Sequence, residues 1–189
     1  MWSFLVFIFA VFTALFMPGD ILLKKLRLTI FERLVLGIIL GIVLLAFQGV
    51  IFGYLHIRWA TYFYLAFFGF YWLVTNFKTF SSPKIDFKKV DLIIVATIVI
   101  GALIQISAVW NIGVANQNGI WFCCRNVPDT IYHLALTNEL TKNFPPFEPG
   151  MAGTAVHNYH YWSNLVSAEL IRVFKLPLAA TVYQYLALL

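Results

Sequence analysis

The chain carries too little charge for an ordinary soluble domain. Of its 189 residues, 11% are charged and 61% are hydrophobic, whereas about a quarter of the residues in a soluble domain are charged. A chain of this length cannot bury so much apolar surface in its own core. The scarcity of charge therefore excludes the soluble globular class. It predicts an all-α polytopic transmembrane helix bundle, an integral protein of the cell membrane surrounded by membrane lipids.

Cysteine is almost absent, and the only two residues, Cys123 and Cys124, are adjacent. Adjacent cysteines seldom form a disulfide because the small ring is strained, and no C-x-x-C metal spacing occurs. We assign them no function. The net charge of +5 does not indicate nucleic acid as a partner, because the basic residues cluster at the edges of apolar segments.

Long apolar runs take the place of the missing charge. They predict about five spans and a truncated sixth, since a span needs roughly 20 apolar residues. The spans are expected at Met1–Met17, Leu34–Gly53, Ala60–Phe77, Asp91–Trp110 and 161–174, with the sixth run cut short at Leu189. We expect Pro18-Gly19-Asp20 to end the first span and the natural protein to continue past Leu189. This predicts a four-span bundle over 1–110, an external loop over 111–160, and a returning span with a truncated successor over 161–189.

Two local patterns predict packing and no site. Thr29-Ile30-Phe31-Glu32 fits the capping box that begins a helix. In the following span Gly37, Gly41, Gly49 and Gly53 recur at multiples of four residues. Rows of small residues allow helices to approach closely in lipid.

The positions of lysine and arginine predict an orientation. The loops after the first and third spans hold eight of these residues, and the loops after the second and fourth hold three. Positive loops stay in the cytoplasm. The N-terminus and residues 111–160 are therefore predicted to lie outside. Arg58 follows the second span and is expected outside, whereas Arg172, at the end of the fifth, is expected inside.

The one long polar interruption runs from Val127 to Glu169. Its ionisable residues predict a helix over 129–143 that lies along the outer membrane face, because burying several of them in hydrocarbon would be costly. Prolines and glycines over 144–158 predict an ordered loop with no regular helix. The candidate ionisable residues of this stretch are Asp129, His133, Glu139, Glu148, His157 and His160.

Asp129 is the leading candidate for chemistry. Aspartate is a preferred helix N-cap and could serve only as one. As a carboxylate at the membrane face it could also act as a general base. His133 follows one turn later on the same side of the helix, where it could orient Asp129, hold a phosphate or face water. Arg125 and Lys142 could meet an anionic head group.

The sequence leaves open both a divalent metal site and a transport function. His157, His160 and Asp129 could bind a divalent metal, although H-x-x-H matches no strong closed-site pattern, so no cofactor is certain. Glu169 is the only acid expected well inside a span. Ion-coupled transporters place such groups at mid-membrane, which keeps a transporter among the alternatives.

The ordered set PDTIYHLALTNELTKNFPP, PGMAG and NYHYWSNLVSAEL resembles polytopic membrane glycosyltransferases of the GT-C superfamily. It is most similar to the "YYY"-type bacterial and archaeal and the mannosyltransferase-like members. The resemblance covers about 60 residues, from Pro128 to Leu189. Asp129 falls at the position of an essential loop acid. Tyr159, His160 and Tyr161 fall at an aromatic triplet.

The resemblance implies an inverting transfer of a sugar from a polyprenyl-phosphate donor at the outer membrane face. Asp129 would be the catalytic base. The substrate-binding residues would be His133, Tyr159, His160, Arg125 and Lys142. Two features depart from the family pattern: one acid stands where some members have two, and four spans precede the loop where one is usual. The alternatives are a transporter or flippase of lipid-linked sugars, or a non-catalytic membrane subunit.

Overall fold

The structure is a computed structural model that describes residues 2–76, 92–109, 112–122, 127–151, 153–157 and 159–186. In these residues the protein is mostly helical, as predicted. Arg125, the cysteine pair and the lysine-rich loop over 78–90 lie outside the described residues, so the expectations for them stay predictions.

Six helices and a short terminal one make up the described fold. They are α1 (Trp2–Leu23), α2 (Ile30–Tyr54), α3 (Thr61–Asn76), α4 (Leu92–Val109), α5 (Val127–Lys142), α6 (Trp162–Phe174) and α7 (Leu178–Ala180, continued by the π-helical turn Thr181–Tyr185). A 3₁₀ turn, Arg58–Ala60, links α2 to α3.

Helix α1 does not end at Met17, so that prediction is wrong. It continues to Leu23 because the turn before Pro18, Val11–Phe16, is π-helical. Inside a regular helix, proline loses one hydrogen bond and clashes with the carbonyl four residues earlier. A π turn shifts the hydrogen-bond register at that point. Asp20 consequently lies within a helix and is buried, with 3% of its surface exposed.

The glycine row packs helices together, as predicted. A Cβ atom added to Gly41 would lie 1.8 Å from the carbonyl oxygen of Leu15, and one added to Gly19 would lie 1.9 Å from that of Gly37. Helices α1 and α2 are therefore in backbone contact. Farther along α2, a Cβ on Gly53 would meet the Phe144 ring at 2.3 Å.

The capping box at the start of α2 is confirmed. The backbone N–H of Glu32 donates to Thr29 Oγ1 at 3.3 Å, and the backbone N–H of Thr29 donates to Glu32 Oε2 at 2.8 Å. Two otherwise unpaired backbone donors are satisfied, which fixes where the helix begins.

Among the described residues, α1 and α2 are the helices long and apolar enough to cross a membrane, with mean hydropathies of 2.2 and 2.8. Helix α3 has 16 residues, which falls short of that length. The predicted bundle of five or six spans is therefore not confirmed, and neither is the predicted division at residues 110 and 160.

Helix α6 does not confirm the predicted fifth span. Its 13 residues extend about 20 Å, well short of the roughly 30 Å hydrocarbon core, and residues 164–171 are all buried. Arg172 also donates to the Arg58 carbonyl oxygen at 3.1 Å. Arg58 and Arg172 thus meet at one point, so the expectation that they lie on opposite sides of the membrane is wrong.

Residues 112–122 contain a β-hairpin where a plain loop was expected. Strand β1 (Val114–Asn116) pairs with β2 (Gly119–Trp121) in antiparallel register. The Asn118 N–H donates to Asn116 Oδ1 at 2.8 Å, and Gly119 has φ +128°. Asparagine and glycine in this turn were the available sequence signal.

Two apolar clusters meet along α6. One joins α1, α2 and α6 around Leu15, Leu45 and Leu170. The other joins α5 and α6 around Leu136, Leu140 and Leu165. Helix α6 is therefore packed against other helices on two sides.

Candidate functional site

A cavity of about 970 Å³ opens between α2, α5, α6 and α7. Its wall is mostly apolar, with a few polar side chains contributed by α5, α6 and α7. The lining residues are Ile42, Val43, Ala46, Phe47, His133, Trp162, Ser163, Asn164, Val166, Ser167, Val182, Tyr183 and Leu186. An apolar cavity with a small polar group is the usual form of a small-molecule site.

His133 stands on the polar side of this cavity, and its ring is held at both nitrogens. Nδ1 lies 3.3 Å from Asn164 Oδ1, and Nε2 lies 3.4 Å from the Tyr159 hydroxyl. The Asn164 amide nitrogen donates to the His133 carbonyl oxygen at 3.1 Å and to Thr137 Oγ1 at 2.9 Å. A carbonyl oxygen can only accept, which sets the orientation of the Asn164 amide.

This orientation also sets the histidine tautomer. Asn164 Oδ1 is an acceptor, so His133 Nδ1 must carry the proton. In the neutral ring Nε2 then accepts from the Tyr159 hydroxyl. If the ring becomes charged, Nε2 becomes a second donor.

Tyr159 joins His133 to the neighbouring aromatic residues. Its ring centroid lies 5.4 Å from that of Tyr132 and 5.1 Å from that of His160, the latter pair being almost parallel at 13°. The Tyr132 hydroxyl donates to Glu148 Oε2 at 3.2 Å. Partial burial, followed by the hydrogen bond to Glu148 and its charge, raises the pKa of Tyr132.

Three predicted substrate-binding residues therefore lie together. His133 lines the cavity, Tyr159 contacts its ring, and His160 is an exposed residue stacked on Tyr159. Asp129 is exposed in the first turn of α5, one turn before His133. The sequence also predicts that Asp129, His133 and His160 converge in one pocket at the outer face, and for Asp129 and His160 this stays a prediction.

The remaining sequence candidates are more peripheral. Lys142 is exposed in the last turn of α5. Glu139 accepts from the Asn143 side chain at 2.7 Å, and His157 is exposed. In the described ranges, no three histidine, cysteine, aspartate or glutamate side chains are grouped so that they could hold a metal ion.

Sequence reasoning identified Glu169 as a buried acid but not its binding partners. Its carboxylate accepts from Arg58 Nη2 and from Arg172 Nη2, each at 2.5 Å, and from Thr61 Oγ1 at 3.4 Å. Arg172 is three residues away on the same helix, a spacing at which side chains meet. Arg58 is 111 positions away, and no local signal indicates that pairing.

A second buried acid lies near the opposite end of α2. Asp20 accepts from Arg33 through two guanidinium nitrogens and from Trp72 Nε1 at 2.8 Å. This cluster ties α1, α2 and α3 together. The sequence missed it because the first span was expected to end before Asp20.

No protein-family model matches the chain, no curated protein matches it, and no solved structure matches it. The features of this chain that bear on function are therefore the cavity, His133 and Asp129.

Proposed function

We propose that this protein is a membrane glycosyltransferase that moves a sugar from a polyprenyl-phosphate donor to an acceptor at the outer membrane face. The observation that carries the proposal is the apolar cavity beside His133, one helical turn from Asp129. Such a wall can accommodate an isoprenoid chain, because the chain has no polar group that would be left unpaired there. Its head group would then lie near the polar side chains.

The reaction is a direct displacement at the anomeric carbon, which inverts its configuration. The acceptor hydroxyl oxygen forms the new bond as the bond from the anomeric carbon to the phosphate oxygen breaks, and polyprenyl phosphate leaves. Asp129 takes the hydroxyl proton as general base. His133 in its charged form, with Arg125, stabilises the negative charge on the leaving phosphate, whereas Lys142 lies at the far end of α5.

The residues around His133 support this assignment. Asn164 fixes Nδ1 as a donor, so Nε2 is the nitrogen that changes role on protonation. Tyr159 reaches that nitrogen and also contacts His160. This chain of contacts connects the cavity wall to the exposed aromatic residues, where an acceptor would approach.

A transporter of lipid-linked sugars is supported less well. Its strongest feature would be the buried carboxylate of Glu169, but two guanidinium groups bind that carboxylate. A carboxylate held in this way does not readily exchange an ion. A non-catalytic subunit would need no cavity of this size.

The test is Asp129→Asn in the natural protein. Asparagine has nearly the same size and fits the same exposed position in the first turn of α5, but its amide cannot accept the proton. Transfer of a radiolabelled sugar from polyprenyl-phosphate sugars should fall by about 100-fold or more. The matched control is Glu139→Gln, the same chemical change on the same helix, which should retain activity.

Full activity of Asp129→Asn would contradict the base assignment. Loss of activity in both variants would show that α5 tolerates neither change and would also count against a specific role for Asp129. Retention of the lipid donor by an inactive Asp129→Asn protein would separate catalysis from binding.

A further inference from the structure

We propose that Arg58 and Arg172 form a binding site for a phosphate group with one negative charge, such as that of an anionic phospholipid head group. The site is separate from the cavity. It lies where the Arg58–Ala60 turn meets α6, and it does not depend on the proposed glycosyl transfer.

The first argument is charge balance. The Glu169 side chain is fully buried, and those of Arg58 and Arg172 are only 14% and 16% exposed. Two positive groups share one negative group, which leaves a surplus of one positive charge. In the described part of the chain, no other carboxylate forms an ion pair with either arginine. An uncompensated charge in a largely buried cluster is costly.

The second argument is that the cluster has unused hydrogen-bonding capacity. Arg172 Nε and Gln48 Oε1 are both buried and form no hydrogen bond among the described residues. Both side chains contact Thr61 Oγ1, which accepts from Gln48 Nε2 and from Arg172 Nη2, each at 2.9 Å. Native structures leave few such atoms unsatisfied. A ligand oxygen would give Arg172 Nε the acceptor that it lacks, whereas Gln48 Oε1 is itself an acceptor and does not argue for an anion.

The third argument is that exposed aromatic residues lie next to the arginine cluster. Trp59 lies between the two ends of the turn and is 61% exposed, and Leu55 and Tyr62 beside it are also exposed. Exposed aromatic residues next to apolar helices are typical of the membrane–water interface, which is the depth of phospholipid phosphates. Arginine binds phosphate through two parallel N–H groups, and the partial exposure of both arginines leaves a route to them.

The experiment measures lipid retention by the full chain in nanodiscs. One set contains phosphatidylcholine alone, and another contains phosphatidylcholine with phosphatidylglycerol. Native mass spectrometry counts the lipids that stay bound. A third arm adds inorganic phosphate to phosphatidylcholine discs and measures the melting temperature, which distinguishes a lipid head group from free phosphate as the source.

The variants are designed to change phosphatidylglycerol retention in opposite directions. Arg172→Gln removes the surplus charge and should weaken phosphatidylglycerol retention about tenfold. Glu169→Gln raises the surplus to two charges and should strengthen retention by a similar factor. Arg27→Gln, at an exposed position in the α1–α2 connection, changes the net charge as Arg172→Gln does and should leave retention unchanged.

Equal phosphatidylglycerol retention by wild type, Arg172→Gln and Glu169→Gln would overturn the proposal. So would equal losses in Arg172→Gln and Arg27→Gln, which would indicate a net-charge effect. Stabilisation by inorganic phosphate that Arg172→Gln abolishes would support the site with a soluble occupant. If Glu169→Gln does not fold, Arg172→Lys replaces it: that variant keeps the charge but loses the fork, and it should retain less lipid than wild type and more than Arg172→Gln.

Discussion

The two sides of α2 differ in how closely they are packed. Toward α1, Gly37 and Gly41 bring the helix backbones into contact. Toward α5, α6 and α7, the same helix presents Val43 and Phe47 to a cavity of about 970 Å³. The glycines allow close packing against α1 (the closed side), whereas the larger Val43 and Phe47 side chains leave a cavity on the opposite side of α2 (the open side). We infer that the α1–α2 pair is a scaffold and that the opposite side is the region that receives a ligand.

The two buried acids show the same contrast. Asp20 has one arginine and a tryptophan N–H as partners, so its charges balance. Glu169 has two arginines and the charges do not balance. A balanced cluster fixes three helices and needs nothing more. The unbalanced one has capacity for an anion.

The largest effect should come from breaking the closed side with Gly41→Leu. The new Cβ would overlap the Leu15 carbonyl oxygen, and a backbone atom cannot move aside as a side chain can. We expect destabilisation of about 5 kcal/mol or more, measured as the loss of folded protein in size-exclusion chromatography. Gly101→Leu is the control, because a Cβ there meets nothing within 4 Å. Equal yields of the two variants would refute the close α1–α2 contact.

The next prediction compares the loss of stability when each of the two buried acids, Glu169 and Asp20, is replaced by leucine. Glu169→Leu leaves two arginines that are 14% and 16% exposed without their carboxylate, and we expect a cost of about 3–5 kcal/mol. Asp20→Leu should cost less, because the Arg33 side chain is 35% exposed and can turn toward water. Thermal unfolding of both variants in the same detergent measures the difference. A larger loss for Asp20→Leu would reverse the comparison.

The smallest expected effect is a change in the pKa of Tyr132 when its partner Glu148 is replaced. Burial, the hydrogen bond to Glu148 and its charge raise the pKa of Tyr132. The stabilisation from neutral Tyr132 is fully present below the pKa of about 10 in the unfolded chain. It is lost as pH rises through the higher folded value. Glu148→Gln should lower the Tyr132 pKa but leave it above the ordinary value, because burial is the largest cause.

Carbon-13 NMR of labelled tyrosine checks this, with Tyr132→Phe identifying the signal. An unchanged Tyr132 pKa in Glu148→Gln would show that Glu148 does not act on this phenol.

Local features of the fold were predictable because their causes are local. The Thr29–Glu32 capping box needs four consecutive residues, and the glycine row needs only its spacing. A helix over 129–143 was likewise indicated by its pattern, but it begins at Val127, so Asp129 lies in the first turn and is not the N-cap. The continuation of α1 past Pro18 was not predictable, because it depends on a π turn that no single residue marks.

The candidate site could be predicted only in part. The contacts among His133, Tyr159 and His160 follow from residues that the sequence marked as unusual. The pairing of Arg58 with Glu169 and the cavity itself arise from elements distant in sequence. Helix α6 was predicted to be a span from its apolar composition, and this is not confirmed, because the helix has 13 residues and residues 164–171 are buried inside the protein.

The most direct test of the account is whether the open side of α2 binds an isoprenoid phosphate. A photoactivatable polyprenyl phosphate is cross-linked to the full protein in nanodiscs, for wild type, Val43→Trp and Leu36→Trp. Val43 lines the cavity, while Leu36 is an exposed residue on the same helix outside it. Labelling is expected near Val43 or His133, reduced about tenfold or more by Val43→Trp and unchanged by Leu36→Trp. Labelling that is absent from wild type, or equal in both tryptophan variants, would contradict the account.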